Sequence, residues 1–196
     1  MLLSAFQRVQ KVILENGDEL EADFVLLGVG VQTATSFLEG MALNPDGSLS
    51  VDKHFRFTDD IYAAGDICSF IDWRTGEKIR IEHWRLAEQH GRIAAYNMAG
   101  KEREFRSVPF FWTNQLGVNL GYVGHVRDWE DMIFQGDPAN RDFVAYYVKD
   151  GRVLAATGTG DIAQMPAVAE LMSTNQMPTP EELRRGSVNM LQRLRG

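Results

Sequence analysis

Cysteine is almost missing from this chain: Cys68 stands alone among 196 residues. An internal disulfide, or a CxxC or CxxxxC redox pair, is therefore impossible within it. A reducing compartment is expected, cytoplasmic or another of that kind, the mitochondrial one included. The same scarcity removes a thiolate metal site, and His54, His90 and His125 show no ligand spacing, so no metal is expected. Basic residues are outnumbered, 20 Lys and Arg against 27 Asp and Glu, and the net charge of −7 speaks against nucleic acid as a partner. The local exception, Arg184, Arg185, Arg193 and Arg195, reads as a solvated helix face. Long apolar runs are lacking too. The longest, Phe24 to Val31, contains two glycines and is far too short to cross a bilayer. The opening Met-Leu-Leu-Ser-Ala-Phe-Gln-Arg has no charged n-region and no cleavage signature, so no signal peptide is expected. No Gly-x-Ser-x-Gly occurs, which leaves a serine-hydrolase reading without its nucleophile.

What is present fits a globular protein of one or two domains, with 44% hydrophobic and 24% charged residues. At this length about 70% of the unfolded surface is removed on folding. Residues 9–27 read as a β-hairpin around Asn16-Gly17, expected as a type I′ turn. Phe24 to Val31 reads as a strand buried on both faces of a parallel sheet, ending in Gly28 and Gly30, where a ligand or another backbone can come close. A short helix is expected over Thr35–Met41, then a turn at Asn44-Pro45-Asp46-Gly47. A second buried strand, Ile61 to Ala64, stops at Gly65-Asp66. The loop through Asp72 and Gly76 leads to a long helix from about His83 to Met98, closed by Gly100.

Beyond Gly100, residues 103–158 read as an antiparallel meander. Its strands are Val108–Thr113, Val118–Gly124, Asp131–Gln135, Phe143–Val148 and Val153–Thr157, with Asp150-Gly151 as a turn. Two helices follow, about Ile162–Ser173 and one opening at Thr179-Pro180-Glu181-Glu182, a capping box with proline at its first position.

The stretch Thr58-Asp-Asp-Ile-Tyr-Ala-Ala-Gly-Asp-Ile67 carries the chemistry. An apolar strand that stops in Gly-Asp presents a carboxylate beyond the carboxyl edge of a sheet, where open α/β sheets bind nucleotides. Gly65 clears the approach, and Asp66 can accept a charge-assisted hydrogen bond from a ligand hydroxyl. A bare Gly-Asp would equally be a turn aspartate capping the next segment. Judged alone, Trp84 and Trp112 are core side chains, His83 is a satisfied helix-start residue, and Cys68 is a small buried filler.

Thr58 to Ile67 resembles the second FAD-binding motif of the two-dinucleotide-binding-domain flavoproteins. Glu82-His83-Trp84, the helix to Met98 and Phe110-Phe-Trp-Thr-Asn-Gln115 are similar to the apoptosis-inducing-factor-like branch, with bacterial ferredoxin, rubredoxin and putidaredoxin reductases near by. The resemblance implies α/β plus α+β architecture. Residues 1–33 would be the tail of an NAD(P)H-binding domain, 34–99 the returning FAD-binding segment, and 100–196 a C-terminal antiparallel-sheet domain with helices. It implies FAD as cofactor, NAD(P)H as substrate, and an acceptor that is an iron–sulfur protein of ferredoxin or Rieske type or another electron acceptor, with subunit contacts through the last domain as in a homodimer. Gly65 and Asp66 would bind the ribityl-phosphate portion, and Ile67 and Ala87 would be further cofactor-binding residues. His83 and Trp84 would sit under the flavin's pyrimidine end, Phe111 and Trp112 would close the ring's surroundings, and Glu82 would orient the nicotinamide amide. Gly28 and Gly30 would let NAD(P)H pass the backbone. The family's Gly-x-Gly-x-x-Gly is absent, since Gly28-Val-Gly30 runs on into Val31, Gln32 and Thr33. The expectation is therefore an oxidoreductase portion lacking the N-terminal FAD/NAD half. The alternative is a flavin-free interaction or dimerisation module without activity of its own.

Overall fold

The computed structural model describes residues 8–160 and 162–195. The first seven residues, part of the expected nicotinamide-domain tail, lie outside the described residues. Two units are present, one up to Gln32 and one from Thr33 onward.

The first unit is a hairpin of β1 (Lys11–Ile13) and β2 (Glu19–Glu21), with Val12 opposite Leu20. Its turn differs from the expected type I′. Gly17 N–H donates to the Leu14 carbonyl at 3.0 Å, and only Gly17, at φ +89°, takes the left-handed conformation, so Asn16 stays in the ordinary region. This is a type I turn followed by a left-handed glycine, a loop that also matches strand twist. The run 24–31 is not a strand: it joins no ladder, and Phe24, Leu26 and Val29 are 78%, 87% and 86% exposed. An extended apolar segment becomes a buried strand only when a neighbour supplies the ladder, and no described strand does.

The second unit holds two hydrophobic cores. The first gathers Leu49, Phe55, Cys68, Phe70, Ile79, Leu86, Ala94 and Phe105. Its sheet runs β3 (Leu49–Ser50), β4 (Cys68–Ile71), β5 (Lys78–Ile79), with β3 parallel to β4 and β5 antiparallel to it. The buried ladder strand thus follows Gly65-Asp66 instead of preceding it. Ile61–Ala64 makes only a bridge, Tyr62 to Arg56, because its bonds go back to the adjoining chain, Phe57 N–H to Ile61 carbonyl at 2.8 Å and Ala63 N–H to Phe55 carbonyl at 3.1 Å. The expected helix 35–41 is a single turn, Leu38 N–H to Thr35 carbonyl. Thr35 is tied to the Gly47 carbonyl at 2.8 Å, Gly40 turns left-handed, and so short a helix has little cooperativity. The 44–47 turn forms as read, Gly47 N–H to Asn44 carbonyl at 2.9 Å. Helix α1 (Trp84–Met98) matches its expected limits, with His83 as N-cap and Gly100 at φ +72° beyond its end.

The second core lies between a five-stranded antiparallel sheet and the C-terminal helices. The strands β6 (Phe110–Gln115), β7 (Val118–Gly124), β8 (Asp131–Asp137), β9 (Asp142–Lys149) and β10 (Arg152–Thr159) fall where read. Their order, β6-β7-β10-β9-β8, is not a meander: β10 inserts beside β7 and becomes central. Asp150 and Gly151, at φ +50° and +67°, make the turn before it. Helix α2 (Met165–Ser173) seats Met165 where Gly121 and Gly158 are cross-strand partners, and a Cβ on Gly158 would come within 2.7 Å of the Met165 sulfur. Helix α3 (Pro180–Arg185) carries the full capping box of Thr179 and Glu182, and α4 (Met190–Leu194), which no periodicity flagged, buries Met190.

A buried ion pair joins the two cores. In the β4–β5 turn, Arg74 forks onto Asp72, Nη2 to Oδ2 at 2.6 Å and Nε to Oδ1 at 3.2 Å, with side chains 5% and 2% exposed. Arg74 Nη1 reaches across to the Leu154 carbonyl at 3.1 Å. Leu154 sits where the β9–β10 register shifts, a bulge that turns its carbonyl out of the ladder. Arg74→Met would strand a buried carboxylate and is expected to cost about 3–5 kcal/mol in denaturant unfolding. Arg74→Met combined with Asp72→Asn should recover much of that loss.

The first core also buries His90 completely, its ring 4.2 Å from Phe55 and 5.0 Å from both Phe70 and Phe105. Burial pushes its pKa from 6.5 down to about 4, opposed by the Gly65 backbone. The unfolded chain therefore binds a proton that the folded chain refuses, so stability is complete above pH 6.5 and is lost as pH falls towards 4. A displacement of that size corresponds to about 3 kcal/mol. Thermal midpoints should drop across that window, and His90→Phe should flatten the drop. His83 and His125, both lowered mainly by burial, would keep the remainder.

Candidate functional site

Three elements of the second unit converge: the Gly65–Ile67 turn, the start of α1, and the edge strand β6. Gly65 has φ +82°, open to glycine at little cost, and begins one 3-10 turn that ends where β4 begins. That turn packs on α1: a Cβ on Gly65 would sit 3.4 Å from the Ala87 Cβ. Asp66 follows with its side chain exposed, and among the described residues its carboxylate accepts no hydrogen bond. Ile67 is half-buried against the first core. The turn's backbone is tied down by Arg80, whose Nη1 donates to the Asp66 carbonyl at 3.2 Å. Arg80 also pairs with Asp46 at 2.9 Å and Glu82 at 2.7 Å. Glu82 is thus held by a cation of its own chain.

At the start of α1, His83 Nδ1 accepts the Arg85 backbone N–H at 3.3 Å. Burial is the main cause that lowers its pKa, Arg85 adds to it, and the Asp66 carboxylate opposes it. His83 is therefore neutral at pH 7, with Nδ1 the acceptor and Nε2–H left as a donor. The remaining first-turn N–H groups of a helix lack intrahelical acceptors and carry its partial positive charge.

Aromatic rings close the third side. The His83 ring lies 5.4 Å from Phe111 and 6.3 Å from Trp112, and Trp84 meets Trp112 edge to face at 6.1 Å. Both tryptophans are wet, 64% and 45% exposed, so they are wall and not core. Phe111 stacks on Tyr122 at 5.0 Å, its partner in the β6–β7 register. The Arg85 guanidinium lies over Phe110 at 4.9 Å and Trp112 at 5.8 Å. Beside this open cluster is a cleft of about 490 Å³ lined by Arg85, Gln89, Arg106, Phe110 and Glu170.

The structure thus brings together Gly65, Asp66, Ile67, Glu82, His83, Trp84, Ala87, Phe111 and Trp112. Gly28 and Gly30 belong to the first unit, where a Cβ on either would meet nothing within 4 Å. The sequence reading passed over Arg80, Arg85 and Tyr122. Tyr122 was recoverable, because a tight turn at Leu116-Gly117 sets residue 111 opposite 122. Arg80 and Arg85 carry no local signal beyond flanking Glu82-His83-Trp84. Among the described residues no group of His, Cys, Asp or Glu could hold a metal ion, and no helix is long and apolar enough to cross a membrane.

Residues 3–91 match the pyridine nucleotide-disulphide oxidoreductase family and residues 110–194 the reductase C-terminal family. Apoptosis-inducing factor 3 of Mus musculus is 35% identical over 173 residues, 86% of this chain and 29% of that protein. The ferredoxin–NAD(+) reductase component of the anthranilate 1,2-dioxygenase system of Burkholderia cepacia is 30% identical over 171 residues, 86% of this chain and 42% of that protein. Putidaredoxin reductase, in its covalent complex with putidaredoxin, superposes with a TM-score of 0.81 at 26% identity, covering 95% of this chain and 45% of that one. The chain therefore spans less than half the length of each of these relatives. The chain thus carries, in succession, a segment of the pyridine nucleotide-disulphide oxidoreductase family at 3–91 and one of the reductase C-terminal family at 110–194, on a fold like that of putidaredoxin reductase.

Proposed function

We propose that this chain contributes the returning FAD-binding segment and C-terminal domain of an NAD(P)H-dependent flavoprotein reductase serving an iron–sulfur acceptor. The partition offered is 1–33, 34–99 and 100–196. The observation that carries the reading is the packing of the Gly65–Ile67 turn on the first turns of α1, beside the Trp84–Trp112 wall. The residues fit the cofactor on three counts: a glycine that clears the approach, an exposed carboxylate with no hydrogen-bond partner among the described residues, and a helix start facing the same space.

Bound FAD would supply hydride acceptance from the nicotinamide and release of electrons to the acceptor. The chain's own residues bind and orient. Asp66 accepts a ribityl hydroxyl in a charge-assisted hydrogen bond. The start of α1 favours negative charge at the ring's pyrimidine edge, and neutral His83 offers Nε2–H there. Trp84 and Trp112 shed water from one side of the ring, while Glu82, already held by Arg80, presents a fixed carboxylate to the nicotinamide amide. Gly28 and Gly30 would admit the nicotinamide nucleotide close to the backbone. The acceptor class, ferredoxin or Rieske type, rests on relatives named as ferredoxin reductases and on putidaredoxin reductase being seen with putidaredoxin. A homodimer through residues 100–196 is part of the same reading. The competing reading, a flavin-free docking or dimerisation module, draws on the self-contained core spanning 108–190.

In a polypeptide that also carries a Gly-x-Gly-x-x-Gly half, Asp66→Ala should weaken FAD about 10- to 150-fold, the equivalent of roughly 1.5–3 kcal/mol. Flavin absorbance after dialysis reads this, and equal retention by mutant and parent would remove Asp66 from the site. In the same protein Trp112→Ala should keep FAD but slow its reduction by NAD(P)H in stopped flow. The chain by itself, purified with excess FAD, should be colourless, because the helix start that binds pyrophosphate belongs to the Gly-x-Gly-x-x-Gly turn. A flavin-free module would stay colourless even when the other half is supplied.

A further inference from the structure

Arg85 is an arginine without an anion. Glu82 and Glu88 stand three residues to either side of it, but each is taken, Glu82 by Arg80 at 2.7 Å and Glu88 by Arg92 at 2.7 Å. Glu170 borders the same cleft without pairing with it. Among the described residues the Arg85 guanidinium makes no ion pair and no hydrogen bond, although the residue is half-buried. Aromatic rings take the place of the carboxylate. The guanidinium carbon lies 4.9 Å from the centre of the Phe110 ring and 5.8 Å from that of Trp112. Both distances are inside the roughly 6 Å at which a ring face attracts a cation. Phe110 and Trp112 are alternate residues of β6 and share one side of the strand, their rings 5.8 Å apart and inclined at 47°.

The contact also joins the two cores. Leu86, the next residue of α1, is buried in the first, whereas Phe110 packs against the second. The Arg85 backbone N–H is fixed by His83 Nδ1 at 3.3 Å, so the helix is already held at the point where the side chain leaves it. Trp112 has little support from its own sheet. It is 45% exposed on an edge strand, and the rings it meets beyond that strand, His83 and Trp84, also stand at the start of α1.

We infer that Arg85 is a positioning residue for the aromatic wall: its cationic face binds Phe110 and Trp112 and holds Trp112 against His83 and Trp84. The bland competitor is ordinary packing, in which the aliphatic stem covers the rings and the charge is incidental. Against it stands the placement of the guanidinium carbon itself over both rings, with the adjacent carboxylates given to other arginines. What the wall does for a flavin rests on the reading proposed above, but the holding of Trp112 does not.

The test is NMR on the full 196-residue chain without flavin, resolving its four indole N–H groups, for the parent, Arg85→Met and Arg85→Lys. Methionine keeps an unbranched apolar stem and removes the charge, while lysine keeps the charge but not the flat fork. In the parent, the Arg85 side-chain protons should be moved upfield by ring currents and show NOEs to both Phe110 and Trp112. Arg85→Met should lower the ratio of held to free Trp112, read from its NOE to Trp84, by roughly two- to fivefold, the range of an exposed cation–π contact. Trp73 and Trp129 should not change, and Arg85→Lys should lose less than Arg85→Met. A Trp112–Trp84 NOE as strong in Arg85→Met as in the parent, or an equal loss in both variants, would overturn the inference. Should Arg85→Met fail to fold, the parent decides: NOEs from the Arg85 side chain to both rings support the assignment, and their absence refutes it. Since every readout is taken without cofactor, failure here is separable from failure of the flavin site.

Discussion

The site's geometry depends on the Asp72–Arg74 pair that crosses between the two cores. It sits at the tip of the β4–β5 hairpin and ends on the carbonyl exposed by the bulge at Leu154. Gly124, at φ +83°, lies against that same carbonyl, where any side chain would collide. A glycine, a bulge and a buried fork thus fit one another. The hairpin runs on through Arg80 into His83, so whatever fixes the hairpin against the sheet also fixes the start of α1 against β6. Arg127, donating to the Lys78 carbonyl at 3.0 Å, adds a second tie near by. A buried ion pair is a weak contributor to net stability but a strong constraint on arrangement. Here the arrangement it constrains is the meeting of His83 with Phe111 and Trp112.

Around the turn, charge is distributed unevenly. Arg80 serves Asp46, Glu82 and the Asp66 carbonyl together, which neutralises two carboxylates and leaves the third, on Asp66, without a hydrogen-bond partner among the described residues. An unpaired carboxylate beside a helix start and a neutral histidine is the polarity that a hydroxyl-rich, partly anionic ligand needs. Cys68, two residues on, takes no part: it is buried and its thiol is pushed up to about 12 by desolvation, so it is not a nucleophile at neutral pH.

Features set by neighbouring residues were legible in the sequence. α1 keeps its limits because the N-cap at His83 and the glycine at 100 act within a turn of the helix ends. The Thr179 capping box and the Asp150-Gly151 turn formed as read for the same reason. Features set by distant chain were not. The five strands were found, but their order was not, because β10 chooses β7 through contacts such as the Met165 seat between Gly121 and Gly158. Phe24 to Val31 was misjudged as a strand because apolarity reports a wish for burial, whereas a ladder needs a partner. The site's aromatic and Gly-Asp residues were found through motif resemblance. Arg80 and Arg85 were missed because their roles appear only once α1 lies against the 65–67 turn.

The most direct test of the central claim is an experimental structure with FAD bound, determined on a polypeptide that carries this chain together with a Gly-x-Gly-x-x-Gly half. The account requires a ribityl hydroxyl within hydrogen-bond distance of the Asp66 carboxylate and the ring's pyrimidine edge at the start of α1. A ribityl chain held elsewhere, with Asp66 facing bulk water and the Trp84–Trp112 wall apart from the ring, would contradict it.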